Sequence, residues 1–262
     1  CSITTEDTTG IHIAACRVCT FRCIVFCMAE IVIIGAGISG LMAARELLKS
    51  GHAITVIEAR DRVGGRIHGI QGKFSTPVET GAEFVHGKQP ITFELLKEAR
   101  MDKRLLKGRF YSIAQDELQR GDMMDDHWKQ LFHELDKLHT DIPLAEFLQV
   151  RFGSDEFKDL RHRVTQFAEG FDIADTTRVS TLALREEWKH SDDEHQYHPE
   201  GGYSTLIDFL KNGIAEKGGR IFLNEPVLEV RHTAKNAEIV SISGKIYRAD
   251  KVIVTVPLGV LQ

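Results

Sequence analysis

The sequence predicts an α/β protein: a Rossmann-like parallel sheet, extended by an antiparallel β-meander and interrupted by a mainly helical insertion. Three observations carry this expectation. The runs Glu30–Ile34, Ala53–Glu58 and Lys251–Val256 are short, β-branched and apolar on both faces, as strands covered on both sides must be. A glycine-punctuated amphipathic stretch separates the first two runs. From Ile91 to about Phe171 the apolar spacing becomes helical.

In chain order, residues 1–27 come first and hold all five cysteines, Cys1, Cys16, Cys19, Cys23 and Cys27. They read as upstream sequence outside the folded domain, with Met28 as its start. A thiolate-bound metal or iron–sulfur centre, or a lipoprotein beginning at Cys1, are the other readings of that cluster. The first strand ends at Ile34 and a helix follows over Ile38–Ser50, with Leu41, Ala44 and Leu48 on one face and Gly51 placed to stop it. With the strand Ala53–Glu58 this makes a β-α-β unit with a right-handed crossover. Residues 59–90 are glycine-rich and irregular, with a hairpin signal around Ile67–Val78. The insertion, 91–198, has one stripe of Trp128, Leu131, Phe132, Leu135 and Leu138 and another of Phe157, Leu160, Val164, Phe167 and Phe171, both read as core. His190–His198 reads as a polar loop. Ser204–Lys217 is helical again, with Leu206, Ile207, Leu210 and Ile214 on one face. Arg220–Leu223, Val227–Val230, Ala237–Ile242 and Lys245–Tyr247 read as a meander, and Lys251–Val256 as a return to the parallel sheet. The segments 28–90 and 199–262 thus form two parts of one domain around the insertion.

Composition narrows the function classes. With 42% hydrophobic and 27% charged residues the chain is of ordinary globular type. A net charge of −5 supplies no basic field for nucleic acid, and no run reaches the ~18 apolar residues that a membrane span needs. The absence of cysteine after Cys27 fits a reducing, cytoplasmic setting without disulfides.

The glycines have a physical purpose. Gly35 lets the chain turn sharply out of the strand, Gly37 lets the backbone approach a pyrophosphate, and Gly40 lets the helix pack against the strand. Ile38, Ser39 and Gly40 then present helix-start amides, with a partial positive charge, to the phosphates. Glu58 ends the second strand, where a carboxylate accepts hydrogen bonds from the hydroxyls of an adenosine ribose and repels a 2′-phosphate. Together these features predict dinucleotide binding.

Glu58-Ala59-Arg60-Asp61-Arg62-Val63-Gly64-Gly65-Arg66 resembles the extended FAD signature of the flavin-containing amine oxidase family. Gly81-Ala82-Glu83-Phe84-Val85-His86-Gly87 resembles that family's segment beneath the flavin. Pro199-Glu200-Gly201-Gly202-Tyr203 is similar to the start of its central helix. Asn224–Val230 resembles the strand whose valine, Val227 here, contacts adenine, and Val256–Leu261 matches its "VPLGVL". The resemblance covers about residues 29–262. It implies FAD as cofactor, a small-molecule amine as substrate and O2 as acceptor, with hydride passing to the flavin and an aldehyde and H2O2 released. The cofactor contacts it implies are Gly35, Gly37, Ile38, Ser39, Gly40, Glu58, Ala59, Arg60, Gly64, Gly65, Arg66, Gly81, Ala82, Glu83, Phe84 and Val227.

The family's flavin-contacting lysine and its aromatic substrate residues are expected beyond Gln262, so no catalytic residue is assigned. A fragment ending there is expected to bind FAD weakly, if at all, and to be poorly soluble. Two alternatives stand beside the amine oxidase: a desaturase-like or protoporphyrinogen-oxidase-like FAD enzyme on an apolar substrate, and a catalytically dead FAD-binding module. His86 reads first as a structural histidine and second as a group that tunes flavin or touches substrate. His190, His195 and His198 match no tight metal-ligand spacing. Asp125–Asp126 and the cations of 97–109 read as solvated faces. The acids of 116–146 suit a polycationic amine or simply face water.

Overall fold

A computed structural model describes residues 12–14, 23–25, 28–70, 72–75, 77–107, 111–114, 117–120, 126–190, 195–233 and 235–261. The readings placed on Cys1, Cys16, Cys19, Cys27, Asp125 and residues 191–194 lie outside the described residues. The chain divides into two compact units. One comprises Cys1–Val85, Pro90–Arg104 and His198–Gln262, the other His86–Gln89 and Leu105–Tyr197.

Unit one is built on a four-stranded parallel sheet. Its first strand, β1 (Glu30–Ile34), is followed by helix α1 (Ile38–Lys49) and strand β2 (Ala53–Ile57). Helices α2 (Pro90–Glu98) and α3 (Tyr203–Glu216) come next, then β3 (Arg220–Phe222). A meander of β4 (Val227–His232), β5 (Ala237–Ser241) and β6 (Ile246–Ala249) precedes β7 (Lys251–Val254). The sheet order is β3-β2-β1-β7, with all pairings parallel. Ile33 stands opposite Val56 on one side and Ile253 on the other, so β1 is central, and its side chains from Ile31 to Ile34 are buried. β2 lies on one side of β1 and the late-arriving β7 on the other. The chain therefore leaves β1 at a topological switch point, where open α/β sheets hold their ligands. Helix α1 buries Gly40, Leu41 and Ala44, and α3 buries Tyr203, Leu206, Ile207, Leu210 and Ile214.

Several expectations need correction, among them the polar loop His190–His198, which runs into a strand at Gln196–Pro199. Arg220–Phe222 belongs to the parallel sheet, beside Thr55–Ile57, and not to the meander. Its hydrogen-bonding partner lies too far away in sequence for a local turn signal to reveal. The helical reading from Ile91 also fails over its middle. Lys103–Leu105 is extended, and Tyr111–Ala114 pairs antiparallel with Glu117–Arg120. Tyr111 and Ile113 are residues that favour strands, and the connection between the two strands is short enough for a hairpin. The hairpin at residues 67–78 reduces to Gly69–Ile70 against Val78–Glu79.

The described residues of unit two also include helices at Asp126–Asp136, Leu144–Arg151, Lys158–Gly170 and Thr181–His190. Its core joins Trp128, Leu131, Leu135 and Leu138 to Phe147, Phe152, Leu160, Val164 and Trp188. Phe171, placed in the core by its spacing, is 47% exposed and stacks on Phe167 with ring centroids 5.1 Å apart. The long segment of unit two begins at Leu105 and not at residue 91, because α2 clusters with unit one, while the short segment His86–Gln89 joins unit two. Among the described residues no helix is long and apolar enough to cross a membrane, and no group of three or more potential metal ligands comes together.

Candidate functional site: a glycine cradle at the carboxyl end of the first strand

All sixteen residues expected at the cofactor fall in unit one. The turn out of β1 obeys the steric reasoning. Gly35 has φ +105°, a conformation side chains avoid. A Cβ on Gly40 would lie 2.0 Å from the Gly35 carbonyl oxygen, so only glycine lets α1 approach β1 this closely. Gly37 differs: a Cβ there would meet nothing within 4 Å. The space before the second glycine is open, as a ligand that needs close backbone approach requires. Gly37 is also the N-cap of α1. No side chain caps the helix and no acid sits in its first turn, so the amides of Ile38, Ser39 and Gly40 keep their positive end for an anion.

The second glycine pair packs onto the first motif. Gly64 bridges Gly37 in parallel register, and its amide donates to the Ala36 carbonyl at 2.8 Å. Gly64 and Gly65 both have positive φ, +100° and +60°, and a Cβ on Gly65 would come 3.2 Å from the Gly37 Cα. The "GGR" turn is thus a second wall of the same cradle.

Arg62 explains one of the three arginines. Its guanidinium donates to the carbonyls of Gly65 at 2.9 Å, Val63 at 3.3 Å and Ile67 at 3.4 Å, holding the turn together from within. Arg60 and Arg66 are exposed, available as fixed charge for a diphosphate.

Glu58 is buried at the end of β2. Its Oε2 accepts from the Ala36 amide at 2.7 Å and its Oε1 from the Arg60 amide at 3.0 Å. Each carboxylate oxygen has two acceptor positions, so one on each remains for a ribose hydroxyl. Beside it opens a pocket of about 340 Å³. Glu58, Ala59 and Val227 line it together with Ile34, Glu225 and Val256. A mainly apolar slot that the Glu58 carboxylate helps to line suits a flat purine and its sugar. The sequence reading missed Glu225 and Val256, although both lie inside the quoted stretches "NEPVLEV" and "VPLGVL".

Gly81, Ala82, Glu83 and Phe84 do not line that pocket. They attach to the cradle through Arg66, whose carbonyl accepts from the Ala82 amide at 3.2 Å; a Cβ on Gly81 would strike that carbonyl at 1.9 Å. Glu83 is exposed. The Phe84 carbonyl accepts from the Tyr203 hydroxyl at 3.3 Å, at the start of α3. There Glu79 caps the helix, its Oε1 accepting from the Tyr203 amide at 2.7 Å. His86 is exposed and meets Phe171 edge-on at 5.1 Å within unit two.

Burial, and then the negative charge of Glu79, pushes the Tyr203 phenol up to about 12 from its ordinary 10.0. The fold holds the neutral phenol. Its contribution is therefore complete below about pH 10 and is lost as pH rises to about 12, where the unfolded chain has already released the proton. The Tyr203→Phe variant should lose less melting temperature than the parent chain between those pH values. Parallel losses in the two proteins would contradict this assignment.

The geometry is now matched by relatedness. The sequence profile described as Flavin containing amine oxidoreductase matches residues 38–262. The chain belongs to this flavin-containing amine oxidoreductase family. It is 28% identical over 262 residues to lysine-specific histone demethylase 1B of Mus musculus, covering 89% of this chain and 30% of that protein. It is 27% identical over 268 residues to polyamine oxidase 6 of Oryza sativa subsp. japonica, covering 89% of this chain and 53% of the relative. Wild-type putrescine oxidase bound to putrescine superposes with a TM-score of 0.71 at 23% identity, covering 88% of this chain and 58% of the other; this likeness is one of fold. The chain thus spans between 30% and 58% of the length of these proteins. Family membership makes the dinucleotide FAD. The cradle fits that cofactor: open space before Gly37, an uncapped helix start and an apolar slot beside Glu58.

Proposed function

We propose that these residues serve an FAD-dependent amine oxidase whose substrate is a small amine of the polyamine class. The observation that carries the cofactor half is the fused cradle, in which the Gly64–Gly65 turn closes on Gly37 and Glu58 holds the Ala36 amide. In this reading the amides of Ile38, Ser39 and Gly40 take the diphosphate, with Arg60 and Arg66 adding charge. Glu58 takes the ribose, Ala59 and Val227 flank the adenine, and Gly81, Ala82, Glu83 and Phe84 run beneath the ring system. When bound, FAD accepts a hydride from the carbon next to the amine nitrogen, and O2 takes up the electrons as H2O2. The substrate class is supported by the kinship with polyamine oxidases, and the lack of cysteine after Cys27 supports a cytoplasmic setting.

The test is to saturate the purified full-length protein with FAD, remove oxygen and add mono-, di- and polyamines in turn. Bleaching of the flavin absorbance by a polyamine, with peroxide formed on readmitting oxygen, is the expected result. Flavin that stays oxidised with every amine would overturn the substrate assignment. Flavin that washes away from the protein would overturn the assignment of the cradle.

A further inference from the structure

We infer that Thr255 is a positioning residue for the cofactor, acting with Glu58 to clamp the Gly35–Ala36 peptide and so to aim the first amides of α1. This rests on the reading of the cradle as the FAD site. Thr255 follows β7 directly. Its amide donates to the Ile34 carbonyl at 2.9 Å, continuing the β7–β1 pairing by one residue. Its hydroxyl lies 3.0 Å from the Ile34 carbonyl oxygen and 3.1 Å from that of Gly35, so a single proton is shared between the two acceptors.

The space this hydroxyl occupies exists because of two glycines. A Cβ on Gly35 or on Gly40 would each come 2.9 Å from the Thr255 Oγ1. The first and third glycines therefore do more than permit a turn and a close helix: they leave room for a side chain arriving from the end of β7, some 220 residues away in sequence.

The consequence lies in the peptide between Gly35 and Ala36. Its carbonyl accepts from Thr255, and its amide donates to Glu58 Oε2 at 2.7 Å. A peptide unit is planar, so holding both ends fixes its orientation. The Gly35 amide is tied to the Ile57 carbonyl and the Ala36 carbonyl to the Gly64 amide, each at 2.8 Å. Every polar backbone group from Gly35 to Ala36 is thus held immediately before Gly37, the N-cap whose following amides meet the diphosphate. Glycine at 35 supplies no rotational restraint of its own. Without the hydroxyl, the plane is held from the Glu58 side alone.

Two near-isosteric variants separate the hydroxyl from the shape. Thr255→Val keeps the branched side chain and removes the oxygen; Thr255→Ser keeps the oxygen and removes the methyl. Amide hydrogen exchange on the cofactor-free chain should show faster exchange of the peptide spanning Gly35–Gly37 in Thr255→Val, by about tenfold, and near-parental exchange in Thr255→Ser. FAD titration of the full-length protein should show affinity weakened roughly three- to tenfold in Thr255→Val, the effect of one lost hydrogen bond, and restored in Thr255→Ser. Parental exchange in Thr255→Val would overturn the clamp. Equal disturbance in both variants would do the same, since keeping the hydroxyl would then not preserve the peptide's hold. If neither parent nor variants take up FAD, the cofactor reading of the cradle fails, and the exchange result still decides the clamp.

Discussion

Gly40→Ala should abolish FAD uptake and destabilise unit one by about 3 kcal/mol or more, the upper range for overfilling a packed site. The added methyl would lie 2.0 Å from the Gly35 carbonyl oxygen and 2.9 Å from the Thr255 hydroxyl. Neither neighbour can retreat. The Gly35 carbonyl belongs to a peptide clamped at both ends, and the Thr255 backbone is hydrogen-bonded to β1. Relief requires α1 to move off the sheet. That exposes Leu41 and Ala44, which are fully buried, and carries the helix-start amides away from the diphosphate. Alanine's better intrinsic helix propensity, worth about 1 kcal/mol, is too small to offset this. Far-UV circular dichroism during urea unfolding is the right probe, because both tryptophans, Trp128 and Trp188, sit in unit two, and their emission does not report on α1. Gly37→Ala is the control. Its methyl meets no protein atom, so it should leave stability nearly unchanged while blocking the ligand's approach. Equal stability of the Gly40→Ala and parent chains would show that the close packing of α1 on β1 is not obligatory.

The elements legible in the sequence were those whose pattern is local. β1 and β2 are apolar on both faces because the sheet is covered on both sides, and α1 shows its buried face as Gly40, Leu41 and Ala44. The illegible ones depend on partners far along the chain. Arg220–Phe222 is three residues long and carries no mark of which sheet it joins. The amphipathic pattern of Pro90–Glu98 resembles that of the unit-two helices, and only its contacts place it with unit one. Among site residues, Glu58 and the glycines announce themselves because their chemistry is unusual for their positions. Thr255 does not: a threonine ending a β-branched strand is ordinary by composition, and its hydroxyl acquires meaning only when β7 lies beside β1. Arg62 likewise reads as one charge among several until its three carbonyl partners are seen.

On the proposed reading of the cradle, Glu58 performs two tasks that substitution can separate. The carboxylate holds the buried Ala36 amide and the more accessible Arg60 amide, and it offers its remaining acceptor positions to the ribose. In Glu58→Gln the side chain keeps one oxygen, which turns toward Ala36, the shorter bond and the amide with no access to water. The new NH2 then faces the Arg60 amide, which can exchange its lost partner for solvent. Stability should fall by only about 1 kcal/mol, while the ribose loses a charged acceptor, worth roughly 1.5–3 kcal/mol or about 10- to 100-fold in FAD affinity. In Glu58→Ala no acceptor remains. The Ala36 amide is then buried without a partner, at a further cost of about 1–3 kcal/mol, and the peptide before Gly37 is released on that side. Glu58→Ala should therefore combine lower stability with an affinity loss of more than about 100-fold, and its Gly35–Gly37 amides should exchange faster than those of Glu58→Gln. If the two variants prove equally stable and exchange equally, the carboxylate serves the ribose alone, and the cradle is shaped by its glycines without help from the acid.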